Sequence, residues 1–418
     1  MALLYCAGDY GNLYARGTVT CNPAALATAP LSALYDAKPN PFQFGSILAD
    51  SYIQLRNNLL TNPGFESALG SEWTCAATGT GTAPVRITSD DHSGAACLQL
   101  NAGAAGTSTA YQAVTVRAGE YARLDFWAKP GVGRTIHAQL YWVEGGQYFN
   151  PAAGGSWQAA AVDVVTVTNT ASWTRCANPT LYQMPTYATA LWPTMTLRLI
   201  FTTTDNGNVL VDDAALIPGV NGASLHGHNL TLAVTPTLRY SDDAFAADDN
   251  VAATFTVRRP TFYAYLNAAM YREYWRVKLG GTPTAAPYFS TGWIGYFSAA
   301  AVAQTDGGAV SQLPIATIAG SDPTTALRYR AGRDRARKVE ISFEYWTEAE
   351  WLELMRDLDQ RTYGGYSPLM LVPNTLTNEA PVLFGRIDPG VFKLTRQQAV
   401  IWKAPLVVTE MAFPTMGA

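Results

Sequence analysis

Residues able to do chemistry are few and scattered in this chain. Its 418 residues hold four histidines, His92, His137, His226 and His228, and five cysteines, Cys6, Cys21, Cys75, Cys97 and Cys176. Nucleophilic catalysis needs a nucleophile beside a base. The sequence has no Gly-x-Ser-x-Gly elbow, no His-Glu-x-x-His and no Cys-x-x-Cys, so hydrolase triads and the common zinc sites are not expected. His226 and His228 in "LHGHNLT" would share one strand face. A zinc site needs a third ligand, and none is visible beside them. They read as a strand-end pair. Asp212–Asp213, Asp242–Asp243 and Asp248–Asp249 could supply the two carboxylates of a glycosidase. Neighbouring strand residues point to opposite faces, so none of these pairs is expected to act as a unit. No enzymatic activity is expected.

Two other groups could bind rather than react. "LRYRAGRDRARKVE" (327–340) carries five arginines and one lysine. On a mildly acidic chain such a segment pairs with acids, here or on a neighbouring subunit, more readily than with nucleic acid. Arg333, Arg335 and Arg337 are the expected oligomer-interface residues, where charge would set register. The second group is aromatic: Trp127, Tyr141, Trp142, Tyr148, Phe149, Trp157 and Trp173. Aromatic faces stack on the C–H faces of sugar rings, and Gln139 and Asn150 could bond hydroxyls. Most of these rings must be core in a block this size. Tyr141, Trp142, Tyr148 and Trp157 are the candidate sugar contacts. Alternation sets His137, Gln139 and Tyr141 on one face, with Leu140 and Trp142 on the other.

The elements that must position these residues are strands. "TAYQAVTVRAG" (109–119), "YARLDFWAKPG" (121–131), "RTIHAQLYWVEGG" (134–146), "AVDVVTVT" (161–168), "TMTLRLIFTTT" (194–204) and "NVLVDDAALIPG" (208–219) alternate apolar residues and close on Gly, Pro, Asn or Asp. Together they predict a two-sheet sandwich. It begins at "NLLTNPGFES" (58–67), directly after a strand-like "DSYIQL" with no stop. The block therefore reads as a domain inserted into another. One helix is expected: "TEAEWLELMRDLDQRTYGG" opens with Thr347 and Glu350 as a capping box. Trp351, Leu354, Met355 and Leu358 then form one apolar stripe.

Charged residues are 14% of the chain and the net charge is −4. So few charges fit either an all-β secreted or structural protein or a subunit that buries much of its surface in an assembly. Neither nucleic acid nor membrane partners are expected, and no apolar run is long enough to span a bilayer. The opening "MALLYCAGDYGNLYARG" has no basic start and no long apolar run, so no secretory leader is expected. The odd, sparse cysteines give no disulfide framework, although Cys75, Cys97 and Cys176 share one segment.

Three resemblances follow. Through "NLLTNPGFE", "YARLDFWAKPG" and "NVLVDDAALIPG", residues 58–218 resemble the jelly-roll carbohydrate-binding modules of families four, nine and twenty-two. The resemblance implies opening and closing strands side by side, sharing a structural calcium through Glu66 and Asp212. The flanks, 1–57 and 219–297, look like the two parts of a discoidin-type sandwich, on "LHGHNLT", "YREYWRVKL" and "YFSTGWIGYF". Residues 298–418 are similar to the ring-forming domain of distal-tail proteins of long-tailed bacteriophages, on "GRDRARKVEISFEYWTEAEWLELMRDLDQRTYGGYSPLMLVPN".

The expected fold is therefore mainly β: a discoidin-like sandwich with an inserted jelly roll, plus a C-terminal β-sandwich with one helix. The expected role is a structural virion protein at a phage tail tip or baseplate, made in the host cytoplasm. It would form a ring of its own copies, a hexamer before a trimer, touch other tail and baseplate proteins, and display the module to host-surface polysaccharide. The alternatives are a secreted carbohydrate-binding protein and a capsid decoration or head-fibre protein.

Overall fold

Alternating β-branched and aromatic residues build strands almost everywhere. The computed structural model describes residues 12–35, 41–152, 155–176, 181–185, 194–231, 233–255 and 261–301. Elsewhere it describes the strands Ala2–Ala7, Val310–Pro314, Arg337–Trp346, Leu369–Val372, Leu383–Ile387, Thr395–Arg396 and Trp402–Glu410, and Leu358. The chain divides into two units. One takes Asn57–Gly219 with Met270–Glu273, and the other takes Met1–Arg56, Val220–Ala269 and Tyr274–Ala418. The mainly β fold class expected from the sequence is what the structure has.

The 57–219 unit is a sandwich of two antiparallel sheets. Among the described residues one sheet has seven strands, ordered Ser156–Gln158, Gln147–Asn150, Gly131–Trp142, Thr194–Thr203, Gly106–Arg117, Thr74–Gly79, with Val165–Thr170 also on Gly131–Trp142. The other has six, ordered Thr174–Arg175, Tyr121–Lys129, Val209–Pro218, Cys97–Asn101, Thr82–Ile87, with Tyr182–Gln183 on Tyr121–Lys129. Alternation sends Leu140, Leu199, Phe201 and Val114 from the first sheet, and Leu124, Phe126 and Leu216 from the second, into one core. Phe126 and Phe201 meet edge to face across it, centroids 5.0 Å apart. Edge contact suits the quadrupoles of two aromatic rings.

Two asparagines tie the unit's opening segment to its closing strand. Asn57 Nδ2 donates to the Pro218 carbonyl at 2.8 Å. Asn58 Nδ2 donates to the Ala214 carbonyl, and Asn58 Oδ1 accepts from the amides of Leu60 and Leu216, each at 3.1 Å. Gln112 then takes both the amide and the carbonyl of Thr61, at 2.6 and 2.9 Å. A buried backbone group must find a partner. Here amide side chains supply partners where no ladder runs.

In the other unit, Tyr52–Arg56 pairs with Thr18–Asn22 and with Tyr274–Gly280, so its second neighbour arrives over two hundred positions later. The sequence reading placed the whole of 1–57 in the flanking sandwich. Ala2–Ala7 instead pairs with Leu369–Val372 and Ser298–Ala301, inside a sheet that has eight strands among the described residues and also holds Trp402–Glu410 and Arg337–Trp346. The helix expected over 347–365 lies outside the described residues, Leu358 excepted. His226 is fully buried, with Nε2 3.1 Å from Ser224 Oγ. Burial, with His228 adding to it, pushes its pKa down to about 3. His228 Nδ1 accepts the Leu230 amide, and its ring meets Phe262. The pair is part of a core.

Asn58→Ala should lower the stability of the 57–219 unit by roughly 2–4 kcal/mol, because it strands two buried amides and a carbonyl. Urea denaturation of the full chain measures this. An unchanged midpoint would show that the asparagine does not hold the sheet edge.

Candidate functional site

The seven-stranded sheet turns one face to the core, and its other face is polar and aromatic. Along Gly131–Trp142, Ile136, Ala138, Leu140 and Trp142 are buried, while His137, Gln139 and Tyr141 are half-buried on the opposite side. Register carries that parity across the sheet. Tyr141 stands opposite Tyr148 on one neighbour and Arg198 on the other, Gln139 opposite Ile200, and His137 opposite Thr202. The next strand sets Tyr111 beside Ile200 and Thr109 beside Thr202.

The side chains of this face engage one another. The rings of Tyr141 and Tyr148 lie 4.8 Å apart, tilted by 51°. The guanidinium carbon of Arg198 sits 4.7 Å from the Tyr111 ring centre and 5.9 Å from that of Tyr141. Such contacts hold a cation against the negative face of a ring. Asp163 bridges His137 Nδ1 at 2.6 Å and Gln139 Nε2 at 2.9 Å. The hydroxyls of Thr109 and Thr202 are 2.8 Å apart. From Tyr148 to Tyr111 the face crosses three strand spacings, roughly 14 Å. Three rings, an amide, an imidazole, hydroxyls and a cation therefore share one platform, built on rigid strands.

Of the four expected sugar contacts, Tyr141 and Tyr148 lie on this face and the two tryptophans do not. Trp142 is 7% exposed and meets Trp157 edge to face at 6.3 Å. Trp157 packs on Phe149 at 5.3 Å and donates its Nε1 to the Gln183 carbonyl. The reason is parity: Trp142 follows Tyr141, and Trp157 stands opposite the inward-facing Phe149. Asn150 is spent on Gln158. Sequence reasoning missed Tyr111, Asp163 and Arg198. The signal for Arg198 was present, since it is the single charged residue of "TMTLRLIFTT" and falls on the polar parity of that strand.

A second cluster holds Glu66 and Asp212. Both oxygens of Glu66 accept the Ala95 amide at 3.0 Å. Asp212 is 0% exposed. Its Oδ2 accepts the amides of His92 and Ser93, and its Oδ1 that of Asp213. Burial, then the neighbouring Asp213 carboxylate, push the Asp212 pKa up to about 6 against the pull of these amides. Asp213 bonds His92 Nδ1 and Ser93 Oγ, each at 2.8 Å. Adjacent acids were expected to face apart, and these two do not. The ladder shifts register between Asp212 and Ala215, and Asp213 takes φ 47°. A bulge lets both carboxylates reach one loop. Gly94 closes it: a Cβ there would fall 1.8 Å from Glu66 Oε1.

A Cβ on Gly64 would lie 3.5–3.9 Å from atoms of Asp213, Glu66 and Asp212, so three acidic side chains converge on that glycine. Among the described residues, no group of three or more His, Cys, Asp or Glu side chains is arranged to hold a metal ion. Calcium takes six to eight oxygens, many of them carbonyls. Glu66 and Asp212 supply two carboxylates of the hard-oxygen kind that calcium takes, and both accept backbone amides here. Arg333 and Arg335 lie outside the described residues, and Arg337 opens a strand whose side chains are not described.

No protein-family model matches the chain, and no curated protein matches it. Solved structures that it resembles include the enzymatically active domain of tailspike protein 4 of bacteriophage CBA120, at 18% identity and TM-score 0.28. That match covers 39% of this chain but 21% of the tailspike chain. TmCBM61, solved with β-1,4-galactotriose, matches at 20% identity over 38% of this chain and 98% of its own, TM-score 0.27. A putative sugar-binding protein from Bacteroides thetaiotaomicron matches at 17% identity over 38% and 98%, TM-score 0.29. Likeness at this level carries nothing over to the ligand or activity of this chain.

Trp142→Ala should destabilise the 57–219 unit by about 3–5 kcal/mol, as large core truncations do. Tyr141→Ala, one residue away, should cost about 1 kcal/mol or less. Thermal melts of the two variants test this. Equal losses would contradict the assignment of the two faces.

Proposed function

We propose that the 57–219 unit is a carbohydrate-binding module and that the chain is a structural virion protein of a long-tailed bacteriophage. The observation that carries the first half is the platform of Tyr111, Tyr141 and Tyr148, crossed by Gln139, His137 and Arg198. Rings that stack and polar groups that fix orientation are what a sugar site needs. Binding is the reading rather than hydrolysis. Glycoside hydrolysis needs two carboxyl groups flanking one bond, whereas Asp163 is committed to His137 and Gln139. The second half rests on the resemblance of 298–418 to distal-tail proteins. In this reading that region forms a ring, a hexamer before a trimer, at the tail tip or baseplate. It contacts other tail proteins, with Arg333, Arg335 and Arg337 at the contact between copies. Closed cyclic symmetry repeats such an interface without loose ends. Weak sugar sites repeated around a ring gain roughly 100-fold or more in avidity where several engage together. Attachment to host-surface polysaccharide follows.

A glycan array probed with the full chain tests the module. We expect binding to a subset of polysaccharides, lost in Tyr141→Ala and kept in Tyr121→Ala, which changes an exposed ring of the other sheet. No binding to any glycan would leave the unit as a spacer.

Calcium is proposed as a structural ion, held by Glu66, Asp212 and backbone carbonyls. It would compensate the buried Asp212 carboxylate and pin the opening loop. At 100 times its dissociation constant it should stabilise the fold by about 2.7 kcal/mol. A melting temperature that falls with EDTA, recovers with calcium and no longer responds in Glu66→Gln is the expected result. No response to millimolar calcium would remove the ion from the account.

A further inference from the structure

Arg198 differs from several other arginines of the 57–219 unit. Arg175 forms two hydrogen bonds to Asp125, and Arg123 lies 3.7 Å from the same carboxylate. Arg86 donates to the carbonyls of Phe65 and Glu66, and Arg134 to those of Asn206 and Asn208. Arg198 has rings beside it and, among the described residues, no carboxylate within ion-pair reach. Its Nε is buried and lacks a hydrogen-bond partner. Asp163 is spent on His137 and Gln139, and Glu144 on the Thr196 amide.

Among the described residues, the strand beside Arg198 is lightly covered. Across the ladder Arg198 stands between Tyr141 and Ala113. Ala113 is small and exposed, so the sheet beside the guanidinium is open on that strand. A half-buried cation without a counter-charge carries a desolvation cost that an incoming anion offsets. A guanidinium presents several N–H groups in a planar fork matched to carboxylate or phosphate oxygens. Tyr111 and Tyr141 flank the guanidinium, so their rings are within reach of a pyranose joined to such an anion.

We propose that this face recognises an anionic sugar: the Arg198 guanidinium pairs with its carboxylate or phosphate while Tyr111 and Tyr141 stack on the ring. The proposal rests on the carbohydrate-binding reading and names its ligand class. The residues that orient the sugar are Gln139 and His137, held by Asp163. The pairing makes affinity fall with salt, because half-exposed charges are screened.

Titration calorimetry of the full chain decides it, with three polymer classes: uronate-containing, phosphate-bearing and neutral. We expect one anionic class to bind at least about 10-fold tighter than the neutral one, a gap worth about 1.4 kcal/mol. The gap should close at high salt and in Arg198→Gln, and persist in part in Arg198→Lys. The uronate and phosphate arms tell the two anions apart. Ala113→Glu sets a carboxylate beside Arg198 and should abolish anionic binding while Arg198 remains. Melting curves matching wild type show that the variants fold. Equal binding of neutral and anionic polymers, unaffected by Arg198→Gln, would overturn the anionic proposal and leave the carbohydrate reading standing. Binding to no polymer would overturn both.

Discussion

The ladder between Gly131–Trp142 and Thr194–Thr203 decides what the 57–219 unit can do. It runs from His137 opposite Thr202 to Trp142 opposite Leu197. Sliding Thr194–Thr203 by one residue would turn that strand over: Arg198 would enter the core, and Leu199 and Phe201 would leave it. The large apolar side chains on the inward parity make that slip prohibitive. The burial of Leu140, Leu199, Phe201 and Trp142 thus holds Tyr141, Gln139 and Arg198 in one outward plane. The core and the make-up of the polar face are two consequences of one register.

The same unit needs its ends held, since it starts and finishes inside another unit's sequence. Asn57 and Asn58 bond groups more than 150 residues away, at Ala214, Leu216 and Pro218. Loop closure over that length costs entropy that grows only slowly with length. A few buried hydrogen bonds at the root suffice to keep opening and closing strands together. Glu66 and Asp212 extend the same principle, gathering the 92–95 loop onto the closing strand. The root and the polar sheet face are separate structures: one is made of amides and carboxylates, the other of rings and a cation.

How much of this was legible in the sequence follows from the range of each signal. Period-two alternation is local, and it separated Tyr141 from Trp142 within one strand. It said nothing useful about Trp157, whose strand, Ser156–Gln158, is too short to show a period. Parity also marks a residue as outward without saying which strand lies beside it. The grouping of Tyr111, Tyr141 and Arg198 therefore emerged only with the register. The alternation rule failed at Asp212–Asp213, where a bulge and a left-handed residue bring two adjacent acids to one loop. Bulges leave little trace in residue type unless a glycine marks them. The N-terminal strand's place beside Leu369–Val372 was equally hidden, because pairing at that separation has no local signature.

The central claim is that the polar face of the seven-stranded sheet is where ligand sits. Oxidative footprinting of the tyrosines, with the full chain free and saturated with an anionic oligosaccharide, tests it most directly. The account predicts that Tyr111, Tyr141 and Tyr148 lose reactivity together, while Tyr121, exposed on the other sheet, and Tyr296, exposed in the other unit, keep theirs. Unchanged reactivity at the three, or protection centred on Tyr121 or Tyr296, would contradict it.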